Sequence, residues 1–408
     1  MPGVLDGLRV IEGSAFVAVP LAGMTLAQMG AEVIRFDRIG GGLDAKRWPV
    51  TSEGRSLFWA GLNKGKKSFA VNLSDPRGQE LVAELICAPG PSGGCYLTNL
   101  GQRGLLSYDR LRERREDVIV VSLLGTWQGG PAVDYTVNPA VGFPAATGPE
   151  GSDEPVAHVL PAWDCITGQM VVGGLLAAER HRLRTGEGQL VELSLKDVAA
   201  AMLGNLGIIG EVVVNGVDRP KYGNALYGAY GQDFVCADGR RVMVIGLTDR
   251  QWKGLVKATG TGDAMAALAE RLGLDLTQEG ARFGARNEIT AILAPWFAAR
   301  KVSDFAAEFE AAGLTWTEFR SFAEAVAQDP DLSEENPMFA VIDQPGVGRY
   351  PVPASPLAFS GSGRPGPAPA PELGAHTEAI LAEVLGLGSG EIGQLMDDGV
   401  VAGPAAPS

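Results

Sequence analysis

Asp164 lies in the stretch Leu160-Pro161-Ala162-Trp163-Asp164-Cys165-Ile166-Thr167-Gly168-Gln169-Met170, ahead of a small and apolar run over 171–178. That run reads as a buried helix whose glycines let another backbone approach closely. A carboxylate on its first turn, just after a proline-containing entry, meets the positive end of the helix dipole and free N–H groups, which favour its charged form. An aspartate in this position can simply cap the helix. In an apolar, small-residue surround, however, an unpaired charge is expensive. A carboxylate held there can serve as a nucleophile that splits a group transfer into covalent steps.

Two cationic stretches accompany it. Lys64-Gly65-Lys66-Lys67 is a local positive patch in an acidic chain of 34 basic and 48 acidic residues, net charge −14. That balance argues against nucleic acid as a partner but leaves room for a local anion site. Gly40-Gly41-Gly42-Leu43-Asp44-Ala45-Lys46-Arg47-Trp48-Pro49 is a glycine-rich loop with two cations and an aromatic, the kind of segment that carries ligand contacts. Lys46 and Arg47 are candidates for holding a substrate carboxylate, with plain solvent exposure equally open to each. Cys87, Cys95, Cys165 and Cys236 are scattered without a C-x-x-C pair, so no metal and no disulfide framework is expected.

The elements that must position these groups begin near the N-terminus. Residues 8–11 form a strand, Pro20 suits the first turn of a helix reaching Met29, Gly30 ends it, and 31–36 form a second strand. Such a β-loop-α-β unit predicts a parallel, doubly wound α/β sheet, with Asp37-Arg38 closing the second strand where an adenosine ligand would lie. The first loop, Gly13-Ser14-Ala15-Phe16-Val17, lacks G-x-G-x-x-G, which excludes the standard dinucleotide site. At 408 residues the chain is long enough for two domains. Composition changes after about residue 210, and amphipathic helices near 249–258, 285–298 and 302–312 mark a small domain. The expected division is a large domain of 1–215 and 330–408 and a small one of 216–329. The N-terminus shows no signal-peptide pattern and no apolar run is long enough to span a bilayer. A cytoplasmic protein with no membrane partner is expected, with 402–408 as a frayed tail.

Taken in order, the motifs resemble the class III CoA-transferases, the formyl-CoA and carnitine CoA-transferase family. Leu26-Ala27-Gln28-Met29-Gly30-Ala31-Glu32-Val33-Ile34-Arg35-Phe36-Asp37 meets the family's L-x-x-x-G-A-x-V-I-x-x-E/D pattern. Asn63-Lys64-Gly65-Lys66-Lys67-Ser68 opens its N-x-x-K-x-S segment, and Asp164 to Gly168 its D-x-x-x-G. Gly186-Glu187-Gly188-Gln189-Leu190-Val191 and Leu373-Gly374-Ala375-His376-Thr377 match later signatures. Asn99-Leu100-Gly101-Gln102-Arg103-Gly104 departs from the family's N-F-x-P-G-x-x-x-R loop, because Leu replaces Phe and the Pro-Gly pair is missing.

The resemblance implies a large Rossmann-like parallel-sheet domain built from both chain ends, a smaller α+β domain and an interlocked homodimer. It makes Asp164 the nucleophile toward an acyl-CoA substrate, with no cofactor beyond the CoA of that substrate. CoA contacts are implied at Val17, Ala18, Arg38, Val71, Asn99, Leu100 and Arg103, and backbone N–H groups over 14–18 are the candidate oxyanion support. His376 is expected to be structural. Gly223-Asn224-Ala225-Leu226-Tyr227-Gly228-Ala229-Tyr230-Gly231 occupies the place of the family's mobile glycine loop, as a lid or as a plain connector.

Three stretches, Val10 to Ala18, Lys46-Arg47-Trp48-Pro49-Val50 and Val159 to Asp164, resemble the branch that moves CoA between the two carboxyl groups of one five-carbon dicarboxylate. Ala15 and Val17 stand where the formyl-CoA branch has His and Gln, consistent with a methyl-bearing acyl group. The competing readings are an intermolecular CoA-transferase, an α-methylacyl-CoA racemase on the same fold, and a non-catalytic CoA-binding protein. The racemase uses a histidine upstream of its aspartate, and this chain has none before His158.

Overall fold

The computed structural model describes residues 3–404. In chain order the elements are β1 (Arg9–Gly13), α1 (Ala18–Gln28), β2 (Glu32–Asp37), α2 (Leu57–Leu62), β3 (Lys67–Val71), α3 (Pro76–Cys87), β4 (Cys95–Thr98), α4 (Tyr108–Arg114), β5 (Ile119–Leu124), α5 (Asp134–Ala140), α6 (Phe143–Ala146), α7 (Ala162–Thr185) and β6 (Leu190–Ser194). Next come β7 (Tyr230–Val235), β8 (Arg241–Gly246) and β9 (Thr315–Glu318), interleaved with helices, and finally β10 (Phe339–Gln344), β11 (Gly348–Pro353) and β12 (Val401–Ala402).

The chain divides into two units: Met1–Val141, Val159–Glu211 and Asp329–Ser408 form one, Gly142–His158 and Val212–Gln328 the other. The expected large domain included 142–158, but this strap, with α6, belongs to the second unit. There Arg286 pairs with Glu150 at 3.1 Å and the Lys221 ammonium donates to the Glu154 carbonyl.

In the first unit seven strands run in the order β12-β3-β2-β1-β4-β5-β6, parallel throughout except β12, which is antiparallel to β3. The order 3-2-1-4-5-6 is that of a doubly wound nucleotide-binding sheet, with its topological switch point between β1 and β4. Alternation sorts the side chains between the faces. Val10, Val33, Leu97 and Val121 pack with α1 and α7, whereas Ile11, Ile34, Tyr96 and Val120 pack with α3, α4 and C-terminal segments. Both faces are covered, so the strands are apolar on both sides, as parallel strands must be. The C-terminal strand was not foreseen: Ala402 pairs with Ala70 instead of fraying, and 405–408 lie outside the described residues. The fold is thus mixed α/β, with a large, mainly parallel sheet built from both chain ends.

In the second unit β7, β8 and β9 form an antiparallel sheet whose first turn is at Asp238-Gly239, where Gly239 has φ +78°. Its core is aromatic, with Phe234 stacked on Phe297 at 4.3 Å and Trp296 on Phe309 at 5.6 Å. Among the described residues no single helix is long and apolar enough to cross a membrane.

Candidate active site

The site is built at the switch point of the large sheet. β1 ends at Gly13 and β4 at Thr98, and the loops that follow them are tied together by one carboxamide. Asn99 accepts the Ala15 N–H on Oδ1 at 2.9 Å and donates Nδ2 to the Ala15 carbonyl at 2.8 Å. The next N–H, that of Phe16, is held by Asp44 at 3.0 and 3.1 Å. Phe16 has φ +69°, the one positive value at a non-glycine among the described residues.

Beneath this loop lies a buried ionic cluster. Arg35 pairs with Asp37 at 2.9 Å, Asp44 at 3.1 Å and Glu12 at 3.5 Å, and donates to the Ser14 carbonyl at 3.1 Å. Lys66 pairs with Glu12 at 2.8 Å and donates to Asn63 at 3.0 Å. Asp37 and Glu12 hold Arg35 protonated well above its ordinary range, against the effect of its burial. Burial lowers Lys66 to about 8 even with Glu12 beside it. The basic patch that left room for a local anion site is therefore mostly interior. Lys64 is also buried, donating to the Gly61 carbonyl and lowered to about 8 by desolvation, while Lys67 pairs with Glu32 at 2.6 Å. Sequence spacing cannot tell these inward lysines from a solvated run.

Asp164 is half-buried on the first turn of α7, whose N-cap position is Pro161. It does not cap the helix. That task falls to Asp134 of α5, whose Oδ2 accepts the N–H groups of Trp163 at 2.8 Å and Asp164 at 3.2 Å. The Trp163 indole N–H donates to Asn138 at 3.1 Å, locking α5 to the start of α7. The expectation that the helix terminus favours the charged form of Asp164 is overturned. Burial, reinforced by the Asp134 charge, raises its pKa to about 6, with Arg47 pulling the other way. Asp134 was missed as a site residue because α5 and α7 are joined only in three dimensions.

Gly168, one turn after Asp164, explains the D-x-x-x-G spacing. A Cβ there would sit 2.7 Å from the Ala18 carbonyl and 3.3 Å from Leu21. Only glycine lets α7 lie this close to the start of α1, which brings the Asp164 turn beside the loop over 14–18.

Arg47 packs against two aromatic rings. Its guanidinium carbon lies 5.3 Å from the Phe16 ring and 5.0 Å from the Phe58 ring, and its carbonyl accepts the Ser56 hydroxyl at 2.6 Å. Among the described residues its guanidinium makes no ion pair with a carboxylate. An arginine whose guanidinium rests on aromatic rings keeps in-plane N–H groups that match a planar carboxylate in two-point fashion. Lys46 is exposed, at the edge of a separate cleft with Arg55, Trp59 and Glu372.

The residues expected to touch CoA lie along the carboxyl ends of four adjacent strands. Val71 ends β3, Arg38 follows β2, Val17 and Ala18 follow β1, and Asn99 and Leu100 follow β4. At strand spacing this row extends roughly 15 Å. Arg38 is exposed and donates to the Gly41 carbonyl at 2.7 Å, Leu100 and Arg103 are exposed, and Val17, Ala18 and Val71 are buried. Asn99 spends its amide on Ala15, and Val71 is paired across to Val401. His376 accepts the Ser68 N–H through Nδ1 at 3.2 Å, a structural contact. In the second unit Tyr227 of the glycine-tyrosine segment and Tyr222 just before it pack on Phe283 at 5.1 and 5.2 Å, so that segment is anchored by aromatic contacts.

The model of CoA-transferase family III matches residues 5–377. The chain is 60% identical over 405 residues, 99% of each chain, to the 2-methylfumaryl-CoA isomerase of Chloroflexus aurantiacus. It is 28% identical over 406 residues to the succinyl-CoA:glutarate CoA-transferase of Mus musculus, covering 97% of this chain and 90% of that one. A solved CAIB/BAIF family protein from Brucella suis superimposes with a TM-score of 0.76 at 26% identity, over 94% of this chain and all of the other. A switch-point loop clamped against a carboxylate-bearing helix, and a family match over nine-tenths of the length, lead to one conclusion: this chain belongs to CoA-transferase family III.

Proposed function

We propose that the protein moves CoA between the two carboxyl groups of 2-methylfumarate, with Asp164 as the covalent relay. The observation that carries this reading is a half-buried carboxylate, Asp164, whose ionisation is favoured by Arg47, a guanidinium resting on the Phe16 and Phe58 rings. The carboxylate is the proposed nucleophile, and the guanidinium is the proposed partner of a second carboxylate of the same substrate. The substrate itself is suggested by the Chloroflexus isomerase, which shares 60% of its residues with this chain.

Ionised Asp164 attacks the thioester carbonyl and expels CoA thiolate, giving a mixed anhydride between Asp164 and the acyl group. The thiolate attacks the Asp164 carbonyl of that anhydride, releasing the dicarboxylate and leaving an aspartyl-CoA thioester. The other carboxylate of the retained acid attacks this thioester, restoring thiolate and a new anhydride. Thiolate then attacks the substrate carbonyl, forming the isomeric thioester and freeing Asp164. Bonds broken and formed are alike in kind, so no nucleotide hydrolysis is required.

Developing oxyanions need N–H donors. Those of Ala15 and Phe16 are engaged by Asn99 and Asp44, so the donors proposed are the Val17 and Ala18 N–H groups at the start of α1. Arg47 is the proposed grip for the distal carboxylate. Arg38, Leu100 and Arg103 are proposed to meet the nucleotide portion of CoA, and the functional unit is proposed to be a homodimer, as the family resemblance implies.

The deciding experiment incubates the protein with 2-methylfumaryl-CoA, resolves the two regioisomers, and repeats the run with labelled free 2-methylfumarate or succinate present. Interconversion without label entering the ester is expected. Label in the ester would instead establish transfer between separate acids, and an absence of interconversion would overturn the reading.

A further inference from the structure

We propose that Phe16, held in a left-handed backbone conformation by Asp44 and by the Asn99 clamp on Ala15, is a positioning residue that fixes the Arg47 guanidinium at the Asp164 end of the site. The inference rests on the function proposed above and names the device that aims its carboxylate grip.

A non-glycine residue at φ +69° is unfavourable because its Cβ crowds the backbone, and it persists only where surrounding contacts impose it. Those contacts are explicit. Asp44 takes the Phe16 N–H on both oxygens and is itself held by Arg35, which also donates to the Ser14 carbonyl. Asn99 fixes Ala15 from the β4 side through both its N–H and its carbonyl. On the other side Val17 and Ala18 begin α1, where Ala18 meets Gly168. The peptide units on either side of Phe16 are thus constrained, and its ring is directed by the backbone as well as by packing.

That ring lies 5.3 Å from the Arg47 guanidinium, and Phe58 lies 5.0 Å away. A long flexible cation thereby rests on two aromatic rings, which leaves its in-plane N–H groups for a ligand. The same segment, Phe16 to Ala18, that meets Gly168, one turn on from Asp164, carries the platform for Arg47. Electrophile support and distal-carboxylate grip are consequently set by one backbone segment, and an alteration at Phe16 should be felt in the chemistry before it is felt in folding.

The test compares Phe16→Leu, Phe16→Tyr, Phe16→Gly and Phe16→Ala with wild type, using 2-methylfumaryl-CoA as substrate. Phe16→Leu should lower kcat/KM by roughly 10- to 100-fold, the scale of a small misplacement of a reacting group, and should move the acid limb of its pH profile upward as Arg47 drifts from Asp164. Phe16→Tyr, which keeps the ring, should recover most of that loss. Phe16→Gly should unfold at a higher temperature than Phe16→Ala, because only glycine accepts this backbone without strain. A wild-type kcat/KM and pH limb in a folded Phe16→Leu protein would overturn the inference alone, as would a Phe16→Ala variant that is the more stable of that pair. Failure of wild type to interconvert the regioisomers would overturn the functional reading and the inference with it.

Discussion

One oxygen of Asp134 accepts the N–H of Asp164 at 3.2 Å and, at 2.8 Å, that of the preceding Trp163. The helix bearing the proposed nucleophile is thus capped by a second aspartate from α5. Pro161, at the position where a capping side chain would stand, has nothing to offer. The charge that secures the cap also opposes ionisation of Asp164, and burial opposes it more strongly. The arrangement gives the two acids different tasks: one is committed to backbone N–H groups, and the other stays available at the mouth of the site.

Replacing Asp164 by asparagine should abolish regioisomer exchange, with a loss on the order of 10⁴-fold or more, as for removal of other covalent nucleophiles. It should also stabilise the fold. The folded pKa of about 6 lies above the ordinary 3.8, so the folded state holds a proton that the unfolded chain has already lost across that window. Stability of wild type therefore falls as pH rises from about 4 to about 6, by up to about 3 kcal/mol at pH 7 and by less once solvent screening of a half-buried group is allowed for. Urea denaturation of both proteins should give similar midpoints near pH 4 and a higher midpoint for Asp164→Asn at pH 7. Intact mass, checked before assay, excludes deamidation back to aspartate.

The acid limb of kcat/KM reports ionisation of the free enzyme's nucleophile and is expected near pH 6. Arg47 lowers the Asp164 pKa and Asp134 raises it. Arg47→Met should therefore shift the limb to higher pH and weaken the dicarboxylate ester, whereas Asp134→Asn should shift it to lower pH. Opposite displacements in the two variants, measured in one buffer series, would establish both influences. Displacement in the same direction would refute the assignment.

Much of the local frame was legible in the sequence. The place of Asp164 on the first turn of a helix, the position of Pro20 and the strand, loop and helix order around Gly30 could be read from period, breakers and motif spacing, because each depends on near neighbours. The doubly wound sheet followed from the same local pattern. What escaped were relationships closed by the fold. Asp134 and the start of α7 are separated in sequence by residues 142–158, which belong to the other unit, and Asp44, in a loop read for its cations, turns inward to pair with Arg35. Lys64 and Lys66, just ahead of β3, look like a solvated patch until the fold buries both, Lys66 donating to the Pro20 carbonyl in α1. Burial of charge depends on partners distant in sequence, and no local periodicity encodes it.

Arg38 stands exposed at the carboxyl end of β2 and, among the described residues, donates its Nε to the Gly41 carbonyl at 2.7 Å. If its remaining N–H groups meet a phosphate of CoA, Arg38→Ala should raise KM about 10-fold while leaving kcat within a factor of about two, the signature of lost uniform binding. Arg38→Lys should recover part of the loss, since a point charge still attracts a phosphate but lacks the two-point fork. An unchanged KM in both variants would remove Arg38 from the ligand site.

Gly168 and Gly173 lie on the same helix and should respond to alanine with opposite signs. Alanine favours a helix over glycine by about 1 kcal/mol at an open site. At Gly173 an added Cβ meets nothing within 4 Å, so Gly173→Ala should stabilise by up to about that amount. At Gly168 the same atom would lie 2.7 Å from the Ala18 carbonyl, a backbone atom that cannot rotate away. Overpacking of this kind costs roughly 1–3 kcal/mol, which outweighs the propensity gain and forces α7 away from α1. Because that displacement also moves Asp164 relative to Val17 and Ala18, Gly168→Ala should lose activity by on the order of 100-fold even where it remains folded. Thermal melts and regioisomer exchange measured on both variants test the sign and the coupling together. A Gly168→Ala protein with wild-type exchange would show that the close approach of the two helices serves packing alone.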